Sequence, residues 1–176
     1  MGSAKKHIII VCSNFPYGFG EPFLEVELGY LHKEFDKITI CTTGKLEPAP
    51  GFDIPQGVEM VSLNPDPTFL EKLFGLWRLF FDAEVTNEIN TITTDYHGSV
   101  SWGKLKTMLV SRLRARKIKA EMQAKINWDL AEEKYLYSYW TDDAALALVY
   151  LKAEMPSATA FCRLHGWDLY FERSSY

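Results

Sequence analysis

The sequence predicts an α/β fold, a parallel sheet with helices on both faces. Three observations predict it. The run from Ile8 to Cys12 is β-branched and apolar, as a doubly buried strand requires. A turn with Asn14, Pro16, Gly18 and Gly20 follows it, and then Leu24, Leu28, Leu31 and Phe35 recur at helical spacing. Further short apolar runs are separated by helical patterns, the alternation that gives parallel strands joined by helices.

The second strand is predicted from Lys37 to Thr43, directly after the first helix. Residues 44–57 carry Gly44, Pro48, Pro50, Gly51, Pro55 and Gly57 and read as a loop. Val58 to Leu63 is a third strand, closed by Asn64-Pro65-Asp66-Pro67. Phe69 to Phe81 reads as an apolar helix, either deeply packed or a face for a partner. Glu84 to Ser101 is weakly patterned and reads as mixed helix and loop. Trp102, Leu105, Leu109 and Leu113 form one helical stripe, and Ile118, Met122 and Ile126 a second. The five-residue step between them predicts a bend or a junction of two helices. Tyr135 to Tyr139 is the fourth strand. Thr141 is expected to cap the next helix, Ala144 to Leu151, with Asp142 and Asp143 in its first turn. Ala158 to Leu164 is the fifth strand. This order is that of a Rossmann-like sheet of spatial order 3-2-1-4-5, and one domain accounts for residues 1–176. Three segments then converge on one crevice at the carboxyl ends of the strands: the Tyr17–Glu21 turn, Trp140 to Asp142, and Arg163 to Gly166.

Glycines in such a crevice let the backbone approach an anion, and the helix N-terminus presents free N–H groups to it. The dinucleotide fingerprint is nevertheless absent. Phe23 stands where its third glycine belongs, and the second strand ends Cys41-Thr42-Thr43 without an acidic residue for a ribose. No GxxxxGK[ST] occurs, so a P-loop NTPase is disfavoured as well. The net charge of −4 excludes a nucleic-acid binder by charge alone, and no recognition motif accompanies the basic residues. No apolar run reaches membrane-spanning length and no secretory signal is present. Lys6 stands where myristoylation needs Ser or Thr. Cys12, Cys41 and Cys162 are odd in number, form no CxxC and fall near strand ends. They are expected to be buried, reduced and structural, which points to the cytoplasm.

Three stretches resemble the amino-terminal domain of the GT-B glycosyltransferases of family 4, bacterial enzymes of surface polysaccharide assembly. FPYGFGEPFLEVELGYL is similar to that family's first loop and helix, often S-E-T-F-I followed by an acidic residue and leucine. Glu21, Phe23, Leu24, Glu27 and Leu31 fill the pattern, whereas Gly20 and Pro22 depart from it. LYSYW, Leu136 to Trp140, resembles the fourth strand. RLHGWDLYFER, Arg163 to Arg173, resembles the Arg-x-His-Gly-x-Asp segment after the fifth. The resemblance runs from residue 7 to about residue 173. It implies a retaining transfer of sugar from a nucleotide-sugar donor to a glycan or lipid-linked acceptor, with this domain on the acceptor side. It also implies a carboxy-terminal domain that holds the nucleotide through a Glu-x7-Glu motif; no such glutamate pair occurs here. By itself the chain is therefore expected to be inactive. The runner-up reading is a stand-alone, non-catalytic domain that binds a glycan or a nucleotide.

The resemblance supplies candidate roles. His165 would face the donor sugar, an imidazole being able to give and accept hydrogen bonds; it could equally be a structural histidine at a strand end. Gly18, Gly20 and Arg163 would contact the donor diphosphate, with a plain tight turn as the alternative for the glycines. Glu21 would orient an acceptor hydroxyl, or merely favour the helix N-terminus. Asp142 and Asp143 read as cap residues rather than catalysts. No cofactor beyond the nucleotide-sugar co-substrate is expected, and no metal, since the sequence has no Asp-x-Asp and no His/Cys cluster. Lys104, Lys106, Arg112, Arg114, Arg116, Lys117 and Lys119 lie in one segment free of acidic residues. They read either as an attraction to anionic headgroups, a peripheral contact at the inner face of the membrane, or as a solvated helix face.

Overall fold

The computed structural model describes residues 4–17, 20–44, 52, 54–79, 82–95 and 99–165. Strand β1 is Lys6–Cys12, followed by helix α1 (Pro22–Glu34) and strands β2 (Lys37–Thr42) and β3 (Val58–Ser62). Helices α2 (Phe69–Leu79) and α3 (Ala83–Asn90) come next, α3 continuing into a π-helical turn at Thr91–Asp95. Helix α4 (Trp102–Lys125), β4 (Glu133–Ser138), α5 (Asp143–Glu154) and β5 (Thr159–Cys162) complete the order. All strands pair in parallel in the order β3-β2-β1-β4-β5, so the expected Rossmann-like sheet is borne out. The chain reverses direction across the sheet between β1 and β4.

The apolar run of β1 is explained by burial on both sides. Ile8, Ile10 and Cys12 face α1, where Leu24 and Leu28 are fully buried. Ile9 and Val11 face the other layer, against Ala115, Ile118 and Met122 of α4 and Ala147, Leu148 and Leu151 of α5. At about 25 cal/mol per Å² of apolar surface, these two layers are the main stabilising contribution.

Four details correct or decide between sequence expectations. The two stripes of residues 102–126 belong to one continuous helix of 24 residues. Its apolar face shifts because its partner changes: Leu109 and Leu113 meet α2 at Gly75, whereas Ala115, Ile118 and Met122 meet the sheet. A Cβ at Gly75 would lie 2.8 Å from Leu113, so the glycine permits that approach. The cap of α5 is Asp142, whose carboxylate accepts from the Ala144 N–H at 2.8 Å, not Thr141. The Thr141 hydroxyl instead donates to the Arg163 carbonyl at 2.8 Å, joining the ends of β4 and β5. Helix α2 exposes Phe69, Leu70, Leu73, Phe74 and Trp77, which excludes deep packing and leaves the other of the two expected readings, an open apolar face. Cys12 and Cys41 are free and buried as expected, but Cys162 is exposed, because β5 is the sheet edge and exposes all four of its residues.

Candidate functional site

The chain leaves β1 into Ser13, Asn14 and Phe15, whose three consecutive N–H groups point to one spot. The Glu21 carboxylate occupies it. Oε1 accepts from the Ser13 N–H at 2.6 Å, and Oε2 accepts from Asn14 at 2.8 Å and Phe15 at 2.7 Å. A fourth donor, the Trp140 indole Nε1, reaches Oε1 at 2.7 Å from the end of β4. Glu21 is 1 % exposed, so these are charge-assisted bonds formed out of water. Sequence reasoning placed an external anion near this turn; the chain supplies its own.

Glu21 lies at the N-terminus of α1, where an acidic residue was expected to favour the helix, but its carboxylate is engaged by the loop. It stands at the N-cap of α1, yet its side chain makes no capping bond to that helix and turns back into the loop. An acceptor hydroxyl could reach its oxygens only by displacing one of the four donors. Gly20 is exposed, and a Cβ there would meet nothing within 4 Å, so packing does not dictate its glycine. Gly18 lies outside the described residues, as do Gly166 and Asp168. Sequence reasoning missed Gly44. A Cβ on it would lie 1.9 Å from Asn14 Oδ1 and 2.7 Å from the Ser13 carbonyl, which the Gly44 N–H itself engages at 2.7 Å. The loop after β2 is thus pressed onto the loop that surrounds Glu21. A lone glycine just past a strand end was the available signal.

His165 does come to this crevice. Its Nε2 lies 2.9 Å from the Tyr139 carbonyl, which can only accept, so a proton sits on Nε2. Its ring lies 4.2 Å from that of Trp140 and 5.0 Å from that of Tyr139, centroid to centroid. Glu21, Trp140 and His165 thus form one connected unit at the reversal point between β1 and β4.

Arg163 lies on the α1 side of the same edge. Its guanidinium pairs with Glu27 and sits 5.2 Å over the Phe23 ring and 5.4 Å over the Tyr139 ring. Burial is the largest single influence and opposes its charge, but Glu27 together with Tyr137 and Tyr139 outweighs it and holds the guanidinium above its ordinary pKa. The Tyr137 hydroxyl donates to Glu27 Oε2 at 3.1 Å. Burial, and then the Glu27 charge, push that phenol well above its ordinary pKa, so it remains a hydroxyl.

The basic segment is largely neutralised by carboxylates from other elements. Arg112 pairs with Asp82 and Glu84, Arg116 with Asp82, and Arg114 with Asp143 and Asp66. Lys117 pairs with Glu71, and Lys119 with Glu154. Lys104 and Lys106 are exposed. The partners lie up to tens of residues away in sequence, which is why the segment read as uniformly basic.

Among the described residues no group of three or more His, Cys, Asp or Glu side chains is arranged to hold a metal, and no helix is long and apolar enough to cross a membrane. Neither a protein-family model, nor a curated protein, nor a solved structure matches the chain.

Proposed function

We propose that the chain is the acceptor-side domain of a retaining glycosyltransferase, which moves a sugar from a nucleotide-sugar donor to a glycan or lipid-linked acceptor. The observation that carries the reading is the meeting of the three resembling segments at one sheet edge, as the Glu21–Trp140–His165 unit. Crevices of that kind, outside the carboxyl ends of the strands at a reversal of strand order, are where open α/β sheets bind ligands. In this reading His165 faces the donor sugar, Gly18 and Gly20 border the diphosphate, and Glu21 shapes the crevice by holding its loop. Arg163 is already paired with Glu27, which suits it to neutral hydroxyls better than to a diphosphate. The nucleotide itself is held by a second domain, so this chain alone binds the donor weakly and transfers nothing. The test is release of nucleoside diphosphate from a panel of nucleotide sugars, by this chain and by the protein joined to a donor-binding domain. Release by this chain alone would place the donor site here and refute the division of labour; no release by either would refute the transferase.

One observation favours the second reading, a non-catalytic domain that binds a glycan or nucleotide. The buried carboxylate at the crevice is fully engaged by four donors. Stoichiometric binding of a sugar with no turnover in any pairing selects this reading.

The lipid-linked form of the acceptor is met on the α2–α4 side. There α2 exposes Phe69, Leu73 and Phe74, and Lys72, Lys104 and Lys106 are exposed. An apolar helix face with flanking lysines is the composition of an interfacial helix.

A further inference from the structure

Beside the crevice, on the α1 face of the sheet, lies an open concavity of about 400 Å³. Its two walls have different origins. Helix α1 contributes Glu27 and Tyr30, with Phe23 one turn earlier on the same side of the helix. The sheet contributes Tyr137 of β4 and Phe161 of β5, with Arg163 just beyond β5. Tyr30 and Phe23 are 67 % and 59 % exposed and Phe161 is 43 % exposed, an unusual concentration of open aromatic surface. Between the walls runs a polar row. The Arg163–Glu27 pair is about a third exposed on each side, and the Tyr137 hydroxyl donates to Glu27.

We propose that this concavity binds a pyranose unit of the acceptor glycan, a proposal that rests on the glycan reading given above. A pyranose has an apolar face of axial C–H groups and a rim of hydroxyls, each both donor and acceptor. The apolar face packs on exposed rings, here Tyr30 and Phe161 in the walls, with Phe23 at the margin supporting Arg163. The rim needs donors and acceptors side by side, and Arg163 supplies the first, Glu27 the second and the Tyr137 hydroxyl both. The guanidinium and the carboxylate cancel each other's charge, so the site favours a neutral ligand over a phosphate. The volume lies within the range of small-molecule sites, about 300–1,000 Å³. The concavity adjoins the crevice through Arg163, which also lies over Tyr139, the residue whose carbonyl holds His165. A sugar seated here would anchor a glycan next to the crevice, outside the reacting position itself.

The experiment is saturation-transfer NMR on the whole chain, with the methyl α-pyranosides of glucose, galactose and mannose as probes. Tyr30→Ala and Phe23→Ala remove exposed rings and leave the buried core intact, and Phe69→Ala on α2 serves as the control. The expected result is transfer to the ring C–H protons of at least one probe, with affinity weakened at least fivefold by either α1 substitution and unchanged by the control. Transfer that neither α1 substitution weakens would overturn the concavity and leave the glycan reading standing, with its site elsewhere. No transfer to any probe would overturn both. Nuclear Overhauser contacts from Phe23 or Tyr30 to residues beyond 165 in the free chain would show the concavity filled by the chain itself, and would overturn the proposal alone.

Discussion

Glu21 and Trp140 are joined by a 2.7 Å hydrogen bond from the indole to the carboxylate, across 119 residues of sequence. That bond ties the start of α1 to the end of β4, the two sides of the reversal point. It makes the loop after β1 and the ring beside His165 parts of one rigid unit, because the same carboxylate also holds Ser13, Asn14 and Phe15.

Glu21→Gln tests the unit. The amide keeps the shape but turns an NH₂ toward backbone donors, leaving at least one buried group unsatisfied, at a cost of about 2–4 kcal/mol. The expected outcome is a fall in Tm of about 5–15 °C for a chain of this size, with a change in tryptophan fluorescence. An unchanged Tm would mean that the carboxylate does not hold the loop.

Gly44→Ala tests the approach of the two loops. The added methyl would have to move Asn14 and the Ser13 backbone, and about 1–3 kcal/mol of destabilisation is expected from such overpacking. Gly20→Ala should stay within about 0.5 kcal/mol of wild type in urea unfolding, since its site is open. If the proposed transferase reading holds, Gly20→Ala should nevertheless weaken nucleotide-sugar binding once the chain is joined to a donor-binding domain, and the glycine then serves the donor and not the fold.

His7 should make the domain sensitive to acid. It is buried at the amino end of β1, its Nε2 2.8 Å from Thr39 Oγ1 and its Nδ1 3.2 Å from Glu132. Thr39 in turn donates to Glu59 at 3.1 Å. Burial and then the Lys37 charge lower the His7 pKa to about 4, against the pull of Glu132, whose carboxylate Lys134 holds at 2.6 Å. The unfolded chain, with a histidine pKa near 6.5, binds more protons than the folded one below that value. The contribution of neutral His7 is therefore complete above about pH 6.5 and lost as the pH falls toward 4, up to about 3 kcal/mol. Several carboxylates also titrate near the acid end, so the comparison is with His7→Gln, which keeps a donor for Thr39. Urea unfolding from pH 8 to 4 should show wild type losing more stability than the variant, mostly between pH 6.5 and 4. Parallel curves would mean that His7 does not stay neutral in the fold.

The sheet was legible because each of its inner strands is an apolar segment bounded by turn residues, and parallel pairing buries both faces. Lys6–Cys12 and Lys37–Thr42 read directly for that reason. The site was legible only as a place. That Trp140 and His165 meet follows from strand order, which sequence periodicity and connection rules predict. That Glu21 turns inward does not follow, because its partners are backbone N–H groups and an indole 119 residues away, invisible to any local pattern. The same holds for the basic segment, whose acidic partners lie on α2, α3 and α5 and in the loops before α2 and α3. Gly44 was missed because a close approach between two loops leaves only a single glycine as its trace.

The pairing of the basic segment also sharpens the membrane prediction. Five of its seven cations face carboxylates, so headgroup attraction falls to the exposed Lys104 and Lys106, and to the exposed Lys72 of α2. At about 1 kcal/mol per lysine near an anionic surface, three lysines alone give weak binding that salt removes. The apolar face of α2 adds a term that salt does not screen, since Phe69 is 77 % exposed and Phe74 66 %. Flotation with vesicles containing phosphatidylglycerol should therefore show two separable losses. Lys104→Ala with Lys106→Ala should cut binding at low ionic strength and matter little at 0.5 M salt. Phe69→Ser should cut binding at both. Binding that vanishes entirely in salt would leave α2 without a part in it, and equal binding to neutral and anionic vesicles would do the same for the lysines. Absence of flotation under all conditions would remove the lipid-linked acceptor from the proposed function.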